Sequence, residues 1–231
     1  KRVLLKLSGE ALAGDKKISD LMGDGYVVAN QVKQLVDQGI EVGIVIGGGN
    51  FWRGRTSETI DRTKARSDRY ACNGYELIYV SEIFRSVGMK TNVLTPFDVR
   101  FFYKISFPKT VPINILKNGM VVFFAGGTGH PYFSTDTATV LTAIEIEADV
   151  ILLAKAIDGV YDSDPKTNPD AKRYDEVSIQ EVIDKQLAVV DLTASILSME
   201  NKMPMYVFGL NEENSIVKAI SGDFNGTKVT V

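Results

Sequence analysis

Residues 44 to 54 read Ile44-Val45-Ile46-Gly47-Gly48-Gly49-Asn50-Phe51-Trp52-Arg53-Gly54, an apolar run followed by three glycines and then an arginine. The apolar run is typical of a buried strand that ends at the edge of a sheet where the glycines begin. Because glycine has no Cβ, its backbone can take positive φ and bring N–H groups against a ligand. The planar guanidinium of Arg53 suits phosphate oxygens. The stretch indicates a phosphate site, although a tight strand-to-helix turn with a solvated arginine fits it equally well in isolation.

A second strand that carries a cation lies near the start of the sequence. The apolar run Arg2 to Leu7 contains Lys6 and is followed by Ser8-Gly9. A lysine in a buried strand is costly unless it meets an anion, and the Ser-Gly turn can offer backbone donors to that anion. The spacing is not that of a Walker A loop. The alternative is an edge-strand lysine whose ammonium reaches solvent.

The segment between these two strands has the periodicity of a helix. Apolar residues recur at helical spacing over Gly25 to Gln38, and Gly39 ends the pattern. Strand, helix and strand in this order form a βαβ unit, which predicts a parallel sheet. Ligands of such sheets bind at the carboxyl ends of the strands. We therefore expect Lys6 to Gly9 and Gly47 to Arg53 on one rim.

A second glycine-rich loop follows a later strand. Met120 to Phe124 is apolar, and residues 125–136 are rich in glycine and hydroxyl groups. Ser134 or Thr135 is expected to cap a helix from Asp136 to Glu147. The free N–H groups of that helix start would form a second anion site. The alternative for the glycines is a plain connecting loop.

The C-terminal half predicts further elements and two candidate nucleotide contacts. After the strand Val150 to Ala154, Tyr161 could stack on a base and Asp164 could accept from a ribose hydroxyl, although two turns with Asx caps fit equally well. Asp191 is expected to begin a helix that runs to about Asn201. The remaining predicted elements are helices Tyr70 to Val87 and Asn214 to Ile220, and strands Thr91 to Thr95, Met205 to Phe208 and Thr227 to Val231.

Two stretches have more than one interpretation. Residues 53–69 hold six cations and only three acidic residues, which fits a solvated face or a site for a second polyanion. Residues 96–112 are bounded by prolines and rich in aromatic side chains. They could form core, a nucleobase shelf or a subunit contact, and we favour a packed or interface role.

Composition excludes several classes of protein. The 231 residues carry a net charge of −3 with a pI near 5.3, which argues against general nucleic-acid binding. Cys72 is the single cysteine, so no internal disulfide and no Cys/His zinc cluster can form. A Ser-His-Asp hydrolase would have to use His130, the only histidine. With no apolar run of about 18 residues and no signal peptide, a cytoplasmic protein without membrane contact is expected.

In combination, these segments resemble the bacterial uridylate (UMP) kinases of the amino acid kinase superfamily. The resemblance runs in order along nearly the whole chain, through Lys6 to Ala11, Ile46 to Gly54, Gly127 to Asp136, Glu145 to Asp149, Asp158 to Pro165 and Val190-Asp191. It implies an α/β fold, a three-layer α/β/α sandwich around a mostly parallel sheet, with one kinase domain over residues 1–231. It also implies a homohexamer and phosphoryl transfer from ATP, with Mg²⁺ as cofactor, to UMP in pyrimidine nucleotide biosynthesis.

The resemblance assigns site residues position by position. The catalytic residues would be Lys6, Arg53, Asp136 and Asp191. The ATP site would comprise Lys6, Leu7, Ser8, Gly9, Gly49, Arg53, Tyr161 and Asp164. The acceptor site would comprise Gly48, Thr128, Gly129, His130, Pro131, Tyr132, Phe133, Ser134 and Thr135, with His130 where the family has asparagine. No metal site made by protein groups alone is implied.

The chain departs from the family between Arg62 and Asn73. The family has an aspartate there that holds the nucleotide ribose, and counting back from Gly88 places Arg66 at that position. Guanidinium can only donate hydrogen bonds, so weak UMP binding is expected unless Asp68 substitutes. The alternatives are therefore a divergent paralogue that binds nucleotide with weak or no UMP kinase activity, and a kinase of the same fold with another acceptor.

Overall fold

The computed structural model describes residues 1–8, 18–47, 77–96, 110–130 and 132–231, with the backbone alone described for 18–23. Within these ranges, one sheet contains eight strands: β1 (Arg2–Leu7), β2 (Glu41–Ile46), β3 (Thr91–Leu94), β4 (Val121–Phe124), β5 (Val150–Lys155), β6 (Glu176–Ser178), β7 (Met205–Gly209) and β8 (Thr227–Thr230). The same ranges contain seven helices: α1 (Ile18–Asp37), α2 (77–86), α3 (Thr110–Lys117), α4 (Thr135–Glu145), α5 (Ile179–Asp184), α6 (Leu192–Glu200) and α7 (Ser215–Ser221).

The sheet is mostly parallel, as the βαβ pattern predicts. The strand order is β3-β4-β2-β1-β5-β7-β8-β6, and among the described pairs only β7 and β8 run antiparallel. Strand β1 pairs in parallel with β2 on one side and β5 on the other. The carboxyl ends of these three strands therefore lie together at one edge of the sheet.

Helices cover both faces of the sheet and produce the predicted α/β/α sandwich. One core packs α1, α2 and α7 against one face, called here the first face. A second core packs α3, α4, α5 and α6 against the opposite, second face. Strand β1 lies between the two cores, and Val3, Leu4, Leu5 and Leu7 are all fully buried. A strand that is apolar on both faces is stable only in the interior of a covered sheet, so β1 forms the centre of the fold.

Alternation along β1 decides where Lys6 lies. Leu5 and Leu7 belong to the first-face core and Leu4 to the second-face core. Because successive strand residues point to opposite faces, Lys6 shares the second face with Leu4. Its register partners, Val45 on β2 and Leu153 on β5, belong to the second-face core as well. The interpretation of Lys6 as an edge-strand lysine is wrong, because β1 is a central strand.

The observed elements differ from the predicted ones at recognisable points. Helix α1 begins at Ile18 and runs through Gly25, where prediction begins it. A Cβ at Gly25 would lie 2.9 Å from Ile83 Cδ1, so this glycine allows α1 and α2 to pack closely. Helix α3 is not among the predicted elements, and its start overlaps the proline-bounded stretch 96–112. Pro112 lies in its first turn, where no N–H is needed. Strand β6 and helix α5 are too short to show a periodicity.

No helix in the described ranges is long and apolar enough to cross a membrane.

Gly43 gives a test of core packing. It lies in the middle of β2, where a Cβ would come within 2.9 Å of Leu4 Cδ1 and 3.0 Å of Phe124 Cε2. We expect Gly43→Ala to lower the free energy of unfolding by about 1–3 kcal/mol, because overpacking outweighs the backbone entropy that alanine saves. Urea denaturation followed by circular dichroism measures this change.

A double-mutant cycle supplies the control for Gly43→Ala. In a Leu4→Ala background, the destabilisation caused by Gly43→Ala should shrink, because the nearest clashing atom is gone. An unchanged urea midpoint for the single variant would contradict the packing argument.

Candidate active site

Backbone hydrogen bonds align the ends of the three central strands. The Gly47 N–H donates to the Leu7 carbonyl over 3.0 Å, and the Ser8 N–H donates to the Ala154 carbonyl over 3.1 Å. Lys6, Leu7 and Ser8 therefore lie on one rim with Gly47, the first glycine of the run. For these residues, the predicted shared rim is confirmed. The predicted site residues Gly9, Gly48, Gly49 and Arg53 lie outside the described ranges.

The ammonium of Lys6 forms an ion pair with Oδ1 of Asp136, in the first turn of α4. The Lys6 side chain is only 14% exposed and that of Asp136 24%, so the pair is largely removed from water. A Cβ at Gly47 would lie 3.7 Å from Lys6 Cε, in ordinary van der Waals contact. Gly47 therefore lies beside the stem of Lys6, and the space there would admit a Cβ.

The start of α4 is fixed by its cap. The N-cap residue Ser134 accepts a hydrogen bond from the Thr137 N–H over 3.0 Å. The first residues of a helix have N–H groups without intrahelical partners, and the helix dipole makes this end favourable for anions. Asp136, in the first turn, is stabilised by that dipole. The predicted cap is confirmed at Ser134, and the helix ends at Glu145, two residues earlier than expected.

Asp191 joins two helix starts. It is the N-cap of α6, where its Oδ1 accepts from the Ala194 N–H over 2.8 Å. The Ser134 hydroxyl donates to Asp191 Oδ2, and the Thr137 hydroxyl donates to Asp191 Oδ1 over 3.3 Å. The resemblance assigns Asp191 to the catalytic residues, and that role stays a prediction. The contacts present make this carboxylate a bridge between the starts of α4 and α6.

Sequence reasoning missed Lys155 as a site residue. Lys155 lies two residues beyond Leu153, the register partner of Lys6, so both lysines project from the second face. Its ammonium donates to the Val189 carbonyl. Burial lowers the pKa of Lys155, the charge of Lys6 lowers it further, and the charge of Asp136 opposes both effects. A lysine at the end of an apolar strand, as at Lys6, was the signal in the sequence.

The second glycine-rich loop has a backbone that few side chains adopt. Gly126, Gly127 and Gly129 have φ of 83°, 59° and 74°, and the Thr128 hydroxyl accepts from the His130 N–H over 3.2 Å. The loop then passes through Tyr132 and Phe133, which are 75% and 48% exposed, and reaches Ser134 and Thr135 at the start of α4. Pro131 lies outside the described ranges. The predicted acceptor residues that are described therefore form the loop that leads into one helix start.

The predicted nucleotide contacts Tyr161 and Asp164 follow β5. The Tyr161 hydroxyl donates to Asp158 Oδ1 over 2.8 Å, and this bond raises the pKa of the phenol. Asp158 Oδ2 also forms an ion pair with Arg173 over 2.7 Å. Asp164 Oδ1 accepts from the Lys166 N–H over 2.9 Å, which is an Asx-capped turn. The turn interpretation is thus confirmed for Asp164, and its contact with a ribose stays a prediction.

Comparison with known proteins identifies the family to which the chain belongs. Residues 1–209 match the amino acid kinase family. The structure is similar to UMP kinase from Bacillus anthracis, with 34% identity, a TM-score of 0.91 and coverage of 100% of this chain and 96% of that one. It is also similar to UMP kinase from Ureaplasma parvum, with 29% identity, a TM-score of 0.88 and coverage of 100% and 99%. A uridylate kinase from Archaeoglobus fulgidus, 24% identical with a TM-score of 0.77 and full coverage of both chains, supports the fold.

Replacing Asp191 tests the bridge between the two helix starts. We expect Asp191→Ala to lower the free energy of unfolding by about 1–2 kcal/mol, the usual value of an N-cap. It should also raise amide hydrogen exchange at Ala194 and at the start of α4, because Ser134 and Thr137 lose their shared acceptor. Hydrogen exchange measured by NMR tests both helix starts.

The matched control is Ser178→Ala, which removes the N-cap of α5, where Ser178 accepts from the Glu181 N–H. It should cost about 1 kcal/mol without faster exchange at α4. Faster exchange at α6 alone in Asp191→Ala would show that Asp191 caps one helix and does not bridge two.

Proposed function

Because this chain belongs to the amino acid kinase family, we propose that it is a UMP kinase, a phosphotransferase that moves the γ-phosphoryl group of ATP to UMP. The observation that carries the proposal is the Lys6–Asp136 pair, in which a central strand end meets a capped helix start. Likeness to two UMP kinases over the whole chain agrees with it.

Phosphoryl transfer depends on positioning and charge neutralisation more than on covalent chemistry by the protein. Lys6 supplies a cation that is held at the strand rim by Asp136 and by the packing of β1 between its neighbours. A fixed ammonium costs no reorganisation when charge develops on the transferring oxygens, so it stabilises the transition state. Arg53 would add a second cation in this proposal, four residues beyond the glycine run.

The acceptor needs no strong base. A phosphate of UMP is already anionic at neutral pH, and the attacking oxygen need not lose a proton to a side chain. The N–H groups at the start of α4 and those of the glycine-rich loop would hold that phosphate. Gly48 and the loop residues 128–135 would form the acceptor site in this proposal, and the exposed side chains of Tyr132 and Phe133 would contact the acceptor nucleotide.

The acidic residues fit magnesium brought in with ATP. Among the described residues, no group of three or more His, Cys, Asp or Glu side chains could hold a metal ion. Mg²⁺ in phosphoryl-transfer sites is usually held by one or two carboxylates together with substrate phosphates, and Asp136 and Asp191 supply such carboxylates beside Lys6. When bound, Mg²⁺ would neutralise charge on the phosphate oxygens.

The remaining assignments belong to the same proposal. The ATP site would use Lys6 to Gly9, Gly49, Arg53, Tyr161 and Asp164. We further propose a single domain over residues 1–231, a homohexamer, a cytoplasmic location and a role in pyrimidine nucleotide biosynthesis, without nucleic-acid or membrane partners. The single domain, the hexamer and the pathway follow from the resemblance to UMP kinases, and the location and the excluded partners follow from the composition of the chain.

Arg66 favours a second candidate function, a divergent paralogue that binds nucleotide with weak UMP kinase activity. It stands at the position where the family places the ribose-binding aspartate, and it lies outside the described ranges. A third candidate, a kinase of the same fold with another acceptor, is compatible with the basic run 53–69. ATP turnover against a panel of nucleoside monophosphates and small acids separates the three.

Replacing Lys6 tests the catalytic assignment. We expect Lys6→Met to reduce kcat by about 10²–10³-fold, the cost of losing one preorganised charge donor. Stability should change less than activity, since methionine keeps the aliphatic packing. Coupled-enzyme assays give kcat, and urea denaturation gives stability. Normal turnover in a folded Lys6→Met protein would exclude Lys6 from the chemistry.

A calorimetric titration tests the assignment of Arg66. We expect the protein to bind ATP normally and UMP weakly, since guanidinium cannot accept from ribose hydroxyls. Arg66→Asp should tighten UMP binding by about 1.5–3 kcal/mol for each charged hydrogen bond recovered.

The same titration separates two ways in which the Arg66 assignment could be wrong. Tight UMP binding by the unmodified protein would mean that Asp68 or another group supplies the contact. Unchanged UMP affinity in Arg66→Asp would place this segment outside the acceptor pocket.

A further inference from the structure

Arg173 lies beside the proposed nucleotide contacts in the second half of the chain. Those contacts, Tyr161 and Asp164, belong to the segment that follows β5, called here the Tyr161 turn (residues 158–164). Arg173 lies three residues before β6, and its backbone pairs with that of Tyr161 in an isolated antiparallel bridge. The bridge therefore holds Arg173 directly against the Tyr161 turn.

The carboxylate of Asp158 connects Arg173 to the phenol of Tyr161. Its Oδ1 accepts from the Tyr161 hydroxyl over 2.8 Å, and its Oδ2 accepts from Arg173 Nη1 over 2.7 Å. The Arg173 side chain is 24% exposed and that of Asp158 46%. Ion pairs at such exposure usually add little to stability, but a carboxylate bonded through both oxygens has a fixed orientation. The Tyr161 hydroxyl is thus bonded to an acceptor that Arg173 keeps in place.

The other end of the Arg173 guanidinium is anchored to a different part of the chain. Its Nη2 donates to Asn225 Oδ1 over 2.7 Å, and Asn225 Nδ2 donates to Glu212 Oε2 over 2.9 Å. Glu212 in turn pairs with Lys218 of α7 over 3.2 Å. Because guanidinium is planar and rigid, its two ends fix each other's direction. Arg173 therefore ties the Tyr161 turn to the chain around α7 and β8.

The backbone of the Tyr161 turn is fitted to the same arginine. A Cβ at Gly159 would lie 2.6 Å from Arg173 Cδ and 2.7 Å from Thr227 Oγ1, so glycine leaves the space that the arginine stem fills. The next residue, Val160, donates its N–H to the Thr227 hydroxyl over 2.8 Å. Because the backbone is held in this way, the bond at its hydroxyl acts mainly on the direction of the Tyr161 ring.

We propose that Arg173 is a positioning residue for the donor nucleotide: through Asp158 it holds the ring of Tyr161 in the orientation that stacks on the base of ATP. The inference rests on the proposed function, since it requires that Tyr161 contact the base. Arg173 itself touches no substrate in this proposal. An aromatic side chain that is fixed before binding avoids the entropy cost of ordering it when the base arrives. Arg173 should therefore act on the affinity for ATP and have little effect on the transfer step or the acceptor.

Kinetics separates this positioning role from a role in the chemistry. Arg173→Met should raise KM for ATP about 3–10-fold, the cost of ordering one side chain on binding, while kcat and KM for UMP change by less than about twofold. Arg173→Lys keeps a cation for Asp158 but lacks the planar fork, so it should recover part of the ATP affinity. Arg85→Met is the matched control. Arg85 joins α2 to Thr91 at the start of β3, at the opposite edge of the sheet, so this variant should behave as the unmodified enzyme.

A binding experiment without an acceptor shows on which part of ATP Arg173 acts. Calorimetric titration compares a non-hydrolysable ATP analogue with inorganic tripolyphosphate, which has the phosphates but no base, both in the presence of Mg²⁺. Arg173→Met should weaken binding of the analogue about 3–10-fold and leave that of tripolyphosphate unchanged. Tyr161→Ala should weaken the analogue about 10–100-fold, the scale of losing an aromatic partner for a base.

A double-mutant cycle tests whether Arg173 acts through Tyr161. In a Tyr161→Ala background, Arg173→Met should have no further effect on the analogue, because no ring is left to position. An arginine that served stability alone would have the same effect in both backgrounds. Asn225→Ala frees one end of the guanidinium, so it should weaken the analogue in the same direction but less. It supplies the test, together with Arg173→Lys, if Arg173→Met does not fold.

Each outcome decides one point. Failure of the unmodified protein to bind the analogue would overturn the proposed function. Analogue binding that Tyr161→Ala leaves unchanged would overturn the stacking role of Tyr161, and the positioning role of Arg173 with it. Weaker binding in Tyr161→Ala but not in Arg173→Met would overturn the role of Arg173 alone. Equal losses for the analogue and tripolyphosphate in Arg173→Met, or equal effects of that change in both backgrounds of the cycle, would overturn it as well.

Discussion

The ion pair between Lys6 and Asp136 joins residues 130 positions apart in sequence, and much of the architecture serves to make it possible. A lysine can occupy a central strand only if its charge is met, since desolvation would otherwise destabilise the strand. The carboxylate that meets it lies in the first turn of α4, where the helix dipole favours negative charge. The pair therefore requires a parallel sheet that places the carboxyl ends of β1 and β4 at one edge, and a helix that starts beyond the end of β4.

Helix starts are the second recurring element of this rim. Ser134 and Asp191 cap α4 and α6, and their side chains are bonded to each other. The two caps are thereby fixed relative to one another through short polar side chains. Such coupling orients two sets of free N–H groups and two positive dipole ends toward one region, which suits a site for phosphates.

The charges at this rim differ from the charge of the chain as a whole. The net charge of −3 describes the whole molecule, whereas the rim holds the cations Lys6 and Lys155 in a place largely removed from water. Charges interact more strongly there than at the surface, because the effective dielectric constant is lower. Local desolvated charge, more than net charge, thus decides which ligand the rim can hold.

The sequence by itself determined a parallel α/β sheet, since apolar strands, amphipathic helices and glycine-rich strand ends are local patterns with the periods of strand and helix; the three-layer sandwich came from the resemblance to a family. It also determined the cap at Asp191, limited the cap of α4 to Ser134 or Thr135, and gave Lys6 a candidate role, because each depends on a residue type at a fixed local offset. Only the tertiary structure decided that β1 is central, that Asp136 is the partner of Lys6, and that Lys155 shares the second face. Short elements such as β6 and α5, and the proline-containing α3, also needed it. The physical reason is the same in each case: strand order and the pairing of buried charges depend on contacts between distant segments, which no local periodicity encodes.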